Sequence, residues 1–149
     1  MVTPLPDIVI RSIGLEDEEL LRAFIRNAGN SLSSFRYFNK RSFNVIKNHI
    51  ITALIIEQDV PVGYGHLDKD DKTVWLGIAI SEKEKGRGLG LAMMDFLTSK
   101  ADKALLSSLS LSVDKENTVA IDLYKKFHFI YVRDINENTI LMERKLQYL

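Results

Sequence analysis

The sequence predicts one α/β domain, in which an antiparallel meander of strands leads into helix–strand crossover units. Three observations predict it. The chain has 149 residues, the size of one ordinary domain, and no Gly/Ser-rich linker, repeat or low-complexity tract divides it. Between residues 52 and 80, three strand-length apolar segments follow one another across short polar turns. Beyond residue 90, helical and strand periodicities alternate.

Taken in order, residues 8–13 read as a short first strand. Leu20, Leu21, Phe24, Ile25 and Ala28 then recur at helical spacing, with acids at 16–19 suited to a helix start and Gly29-Asn30 suited to its stop. Residues 31–47 are aromatic and basic, and read as a second short helix or a loop. Residues 52–58 and 62–67 form a β-hairpin around Asp59-Val60-Pro61, residues 68–72 a polar turn, and residues 73–80 a third strand containing Trp75. Met94, Leu97, Ala101, Ala104 and Leu105 mark one face of a helix over 91–106. Leu109, Leu111 and Val113 alternate with Ser110 and Ser112, the pattern of a half-buried strand. Ala120, Leu123, Tyr124 and Phe127 are in helical phase over 118–127, and two strands, 129–132 and Thr139–Lys145, flank the polar turn 134–138.

Composition narrows the function classes. Hydrophobic residues at 46% and charged residues at 27% describe a folded globular chain rather than a disordered one. Lys+Arg and Asp+Glu are 20 each, so the basic excess of a nucleic-acid or anionic-membrane binder is missing. The sequence holds no cysteine, which removes thiol catalysis, disulfides and Cys-based zinc sites. His49, His66 and His128 lie far apart in sequence, and no metal is implied. The longest apolar runs are of strand length, and the first seven residues lack a leader pattern, so a cytoplasmic protein is expected.

The most informative segment is Lys85-Gly86-Arg87-Gly88-Leu89-Gly90, between an expected strand and an expected helix. Alternating glycines let successive main-chain N–H groups converge without Cβ clashes, and the helix directs its positive dipole end to the same place. Lys85 and Arg87 add charge, and the whole describes a phosphate or pyrophosphate site. It is neither a dinucleotide fingerprint, because Leu91 occupies the third glycine's place, nor a Walker loop, because Gly90-Leu91-Ala92 lacks the Lys-Ser/Thr ending.

This turn resembles motif A of the GNAT family of N-acetyltransferases, Gln/Arg-x-x-Gly-x-Gly/Ala, matched here as Lys85-x-x-Gly88-x-Gly90. A second block is similar to the family's motif B: Leu111-Ser112-Val113, then Asn117, Ala120, Leu123-Tyr124 and Phe127-His128-Phe129. His128 stands where the family commonly has glycine, and the helix C-cap there is expected to differ locally. The resemblance implies a mixed, mostly antiparallel central sheet flanked by helices, and acetyl-CoA or a related acyl-CoA as cosubstrate. It implies that the amides of Arg87, Gly88 and Gly90, with Lys85 and Gly86 beside them, hold the pyrophosphate. The strand through Ile78 and Ile80 would pair with the pantetheine arm. Asn117 would bond that arm or serve as a helix cap, and Tyr124 would protonate the departing thiolate or pack as a core tyrosine.

The resemblance leaves the general base open. Many family members place a carboxylate on the fourth strand, and residues 74–79 contain none. His66 on the neighbouring strand is the nearest base, its other reading being a polar residue on an exposed hairpin face. Glu57 is a poorer candidate, and Asp70 and Asp71 read as solvated turn residues. Deprotonating a lysine-like amine of pKa ~10.4 at pH 7 costs about 4.6 kcal/mol, and an α-amine of pKa ~7.8 about 1 kcal/mol. A weak base therefore points to an amino sugar or an α-amine. Arg36 and Tyr37, within Phe35-Arg36-Tyr37-Phe38, together with Arg41, are candidates to shape the acceptor side, and aromatic packing is the other reading of that stretch. His49 reads as structural or solvated at a helix end. The expectation is direct acetyl transfer to a small-molecule amine, in a chain that family habit would pair as a homodimer. The alternative is a non-catalytic acyl-CoA-binding or protein-interaction module on the same fold.

Overall fold

Residues 49–80 build the meander: β2 (His49–Glu57), β3 (Val60–Asp70) and β4 (Thr73–Ile80) pair antiparallel in sequence order. In this computed structural model, which describes residues 8–147, β1 (Ile8–Ser12) pairs antiparallel with β2 on its other side. The N-terminal residues 1–7, where no leader pattern is read, lie outside the described residues. The β2–β3 turn is Gln58-Asp59, both with positive φ (49° and 67°), as a two-residue type I′ hairpin turn requires. It is shorter than the Asp59-Val60-Pro61 turn expected. β3 correspondingly runs on to Asp70 and pairs Asp68 with Trp75, so the stretch read as a polar turn is largely strand.

The remaining sheet comes from the crossover half. α2 (Leu89–Lys103) leads to β5 (Ser108–Asp114), and α3 (Thr118–Lys126) leads to the hairpin of β6 (Ile130–Asp134) and β7 (Thr139–Lys145). One seven-stranded sheet results, in the order β1-β2-β3-β4-β5-β7-β6. β4 and β5 form its parallel junction, and they register at a single pair, Trp75 with Ser110. Beyond that pair the two strands separate toward their C-terminal ends.

Helices cover both faces. On one, α2 sinks Met93 and Leu97 so close to β3 that a Cβ at Gly65 would stand 2.6 Å from the Met93 sulfur. Those two side chains join Leu67, Leu76, Leu111 and Met142 in the larger core. On the other face lies α1 (Glu18–Asn27), whose Leu21 and Phe24 pack with Leu54, Tyr64 and Ala79. Its acids Glu18 and Glu19 and the closing Arg26 suit the helix dipole. Residues 31–47 form neither one helix nor a plain loop: three short 3-10 turns, Gly29–Ser33, Tyr37–Asn39 and Phe43–Asn48, wrap this face. Phe35 and Phe38 pack on Tyr64, with ring centroids 5.2 and 5.6 Å away.

α2 and α3 end in the same device. After α3, His128 N–H bonds the Lys125 carbonyl and Phe129 N–H bonds that of Tyr124, a Schellman closure with His128 in the left-handed region at φ 73°. The local difference expected from replacing glycine is therefore absent: histidine adopts the glycine conformation. Leu105 does the same after α2 at φ 57°. Among the described residues no helix is long and apolar enough to cross a membrane.

Candidate active site

The separation of β4 from β5 opens a cavity of about 1290 Å³ that reaches both faces of the sheet. One end is the glycine turn. Gly86 and Gly88 have φ of 84° and 83°, conformations that glycine alone adopts cheaply. A Cβ at either would meet nothing within 4 Å, so the turn is an open cradle. Gly88 is the N-cap of α2, which aims the first N–H groups of the helix at this spot. Gly90 serves differently: a Cβ there would come within 3.1 Å of Leu123, so it lets α2 and α3 approach.

Lys85, Gly86, Gly88 and Gly90 line the cavity, and Arg87 does not. Its guanidinium bonds both carboxylate oxygens of Glu57, at 3.0 and 2.6 Å, and pairs with Glu84. The charge expected from Arg87 is thus already neutralised, and what it could offer an anion is its main-chain N–H. Glu57, held below the usual carboxylate range by Arg87, is likewise committed to this pair.

The β4 edge follows. Ser81 N–H bonds the carbonyl of Val62 on β3, and antiparallel alternation then directs the main-chain groups of Ile78 and Ile80 away from β3, toward the opening. Ser31 donates its hydroxyl to the Ile80 carbonyl. The polar groups of Ile78 and the N–H of Ile80 remain for a ligand lying along the edge. On the β5 side, Asn117 caps α3 by accepting from Ala120 N–H at 3.3 Å through Oδ1. Its side-chain N–H₂ is not needed for the cap, so the two roles weighed for Asn117 are compatible.

Tyr124 lines the cavity from α3 with only 8% of its surface exposed. Its hydroxyl has no hydrogen-bond partner among the described residues, and burial pushes the phenol up to about 12, so it stays protonated through the neutral range. The Schellman closure fixes its position, and its ring lies 6.1 Å from that of Phe129.

The other end of the cavity lies on the α1 face, where β3 alternation brings Tyr64, His66 and Asp68 to one side. Asp68 accepts the Tyr37 hydroxyl at 2.7 Å, and the Tyr37 oxygen lies 2.7 Å from His49 Nε2. His49 Nδ1 in turn meets the Thr52 hydroxyl at 2.7 Å. Thr52, His49 and Tyr37 thus form a directed chain that ends on the Asp68 carboxylate. His49 closes the 3-10 turn Phe43–Asn48 and opens β2, and its side chain is wholly buried, so of its two readings the structural one holds. Arg41 lies over the Tyr37 ring at 4.3 Å, and Arg36 grips Asp114 at the end of β5 with bonds of 3.0 and 3.3 Å. Arg36 and Tyr37 therefore face the cavity while Phe35 and Phe38 also serve packing.

His66 is not on an exposed hairpin face. It is 2% exposed, and Tyr64 meets its Nδ1 at 2.6 Å. Burial, with His49 and Arg41 nearby, pushes it well below 6.5. With Nδ1 engaged by the Tyr64 hydroxyl, that nitrogen is not free for the expected base role. Asp68 is the carboxylate that sequence reasoning missed, because its neighbours have turn composition. The signal lay in the hairpin itself: a two-residue turn at 71–72 puts His66, Asp68 and Asp70 on one face, and Asp70 also lines the cavity.

A seven-stranded mixed sheet, splayed at its one parallel junction over a glycine cradle at a helix N-terminus, is the architecture of coenzyme-A-dependent acetyltransferases. The acetyltransferase (GNAT) family model matches residues 18–129, and the chain belongs to that family. No curated protein sequence matches it. The fold is similar to that of the ribosomal-protein-S18-alanine N-acetyltransferase of Escherichia coli, at TM-score 0.73 and 17% identity over 95% of this chain and 96% of that one. It is similar to spermidine N-acetyltransferase from Vibrio cholerae in complex with CoA and spermine, at TM-score 0.75 and 17% identity over 94% and 96%. The paia N-acetyltransferase from Thermoplasma acidophilum, in complex with coenzyme A, gives TM-score 0.72 and 17% identity over 93% and 98%.

Proposed function

We propose that this protein moves an acetyl group from acetyl-CoA directly to the primary amine of a small molecule, an amino sugar or α-amine, in a cytoplasmic setting. The carrying observation is the continuity of one cavity from the Gly86–Gly88 cradle, past the unpaired edge of β4 and the Tyr124 hydroxyl, to Asp68. An open cradle beside a helix N-terminus and a strand edge with unused N–H and C=O groups fit a pyrophosphate followed by an amide-bearing arm.

Acetyl-CoA supplies the activated acetyl thioester. N–H groups of the 85–90 turn hold the diphosphate, and Ile78 and Ile80 align the arm. Tyr124 holds its proton where the departing sulfur can take it. Asp68 holds the acceptor's nitrogen, which attacks as the neutral amine after its ammonium form has lost one proton to water. The carboxylate takes the second proton, shed as the C–N bond forms and the C–S bond breaks, and this balances the one that Tyr124 gives the sulfur. An α-amine of pKa ~7.8 loses the first proton at pH 7 for about 1 kcal/mol, so only the second needs a positioned acceptor.

The test is steady-state thiol release with acetyl-CoA and a panel of amines. Amine-dependent release is expected, with Tyr124→Phe lowering kcat by roughly 100-fold while CoA binding persists, the scale of one general acid. Acetyl-CoA binding without any release would support the non-catalytic module instead.

A further inference from the structure

His66 is buried against the acceptor end of the cavity, and its hydrogen bonding fixes more than its position. Tyr64 is fully buried, and among the described residues the one partner of its hydroxyl is His66 Nδ1. A buried phenol that merely accepted this bond would leave its own O–H unpaired, a cost of about 1–3 kcal/mol. The O–H therefore donates, Nδ1 accepts, and the neutral ring carries its hydrogen on Nε2.

That nitrogen points at Gly77 of β4: a Cβ there would stand 2.6 Å from it. Glycine at 77 keeps the nitrogen uncovered. Among the described residues the one side-chain polar atom both sealed from solvent and unpaired is Ser81 Oγ. His66 Nε2 has no partner among the described residues either, so the ring's small exposure includes this atom, and His66 and Gly77 both line the cavity.

Building on the proposed acetyl transfer, we infer that His66 is a hydrogen-bond donor to the acceptor molecule, presenting Nε2–H to an oxygen on the carbon adjacent to the amine-bearing one. Asp68 lies two residues along the same face of β3, roughly 7 Å away along the strand. An ammonium group at Asp68 and a vicinal oxygen at His66 satisfy both ends of that interval. Amino sugars and α-amino carbonyl compounds carry such an oxygen, whereas simple alkylamines would leave a buried N–H unpaired.

Two measurements test this. In ¹⁵N-labelled protein at pH 7.5, two-bond ¹H–¹⁵N correlation reads the His66 tautomer, with assignment by His66→Gln. A hydrogen on Nε2 and a bare Nδ1 are expected, and the reverse overturns the inference. With CoA present, D-glucosamine, alaninamide and n-butylamine are then titrated in separately. A shift of the Nε2–H resonance by glucosamine or alaninamide, and not by butylamine, is expected, and which of the two acts tells sugar from α-amino carbonyl. No shift with either, or an equal one with butylamine, overturns the oxygen contact whether or not transfer is seen. Where turnover is measured, wild type favours the oxygen-bearing amine over butylamine in kcat/KM by about tenfold, the worth of one hydrogen bond. His66→Phe abolishes that preference and His66→Gln restores it, while a preference unaltered in His66→Phe contradicts the role. If no amine turns over, the acetyl-transfer reading fails separately, and the resonance results still decide the tautomer and the contact.

Discussion

His128 and Leu105 each hold a left-handed backbone that glycine would adopt without penalty, and each does so to close a helix. Replacing either with glycine should stabilise the fold by about 1 kcal/mol, read as a higher urea midpoint at unchanged m-value. Leu105 is the cleaner case, being 71% exposed. The buried histidines act in the opposite sense. Burial lowers both His49 and His66 from 6.5, so the unfolded chain binds protons more readily than the fold does. Their contribution is complete above 6.5 and drains away as the pH falls below it. Urea unfolding at pH 7.5 and 5.5 should show the loss, and a His49→Gln, His66→Gln double variant should flatten it.

At the scale of elements, the 85–90 turn and the α2–β7 contact carry separate duties. Ala at Gly86 or Gly88 meets no neighbour, yet it must hold φ above 80°. Each substitution should cost about 1–2 kcal/mol of stability or shift the turn, and weaken CoA binding at least tenfold by calorimetry. Arg144, only 4% exposed on β7, bonds both Asp102 oxygens at 2.9 Å and the Phe127 carbonyl, tying the ends of α2 and α3 to the sheet. Arg144→Ala should destabilise by about 3 kcal/mol, because it strands Asp102 and a helix-end carbonyl. Arg144 also holds Asp102 below its usual range, so this contribution is present above about pH 4 and lost as pH falls through the lowered value.

Across the whole molecule, the elements legible in the sequence are those whose side chains keep one period, such as Leu109, Leu111 and Val113 in β5. Residues 31–47 resisted because successive 3-10 turns keep no period at all. The end of β3 resisted because Lys69, Asp70 and Asp71 have the composition of a turn while the hairpin register makes most of them strand. The cavity-lining places of Gly88, Asn117 and Tyr124 were legible because their types recur at motif spacing along one stretch of chain. Asp68, the Tyr37–His49 chain and the Arg36–Asp114 clasp join residues 12 to 78 positions apart, and only the assembled sheet brings them together.

The most direct measurement is a crystal structure of the protein soaked with CoA and alaninamide. It should place the diphosphate on the N–H groups of the 85–90 turn, the sulfur within hydrogen-bond reach of the Tyr124 hydroxyl, and the amine beside Asp68. A coenzyme bound elsewhere, or a sulfur directed away from Tyr124, would contradict the account.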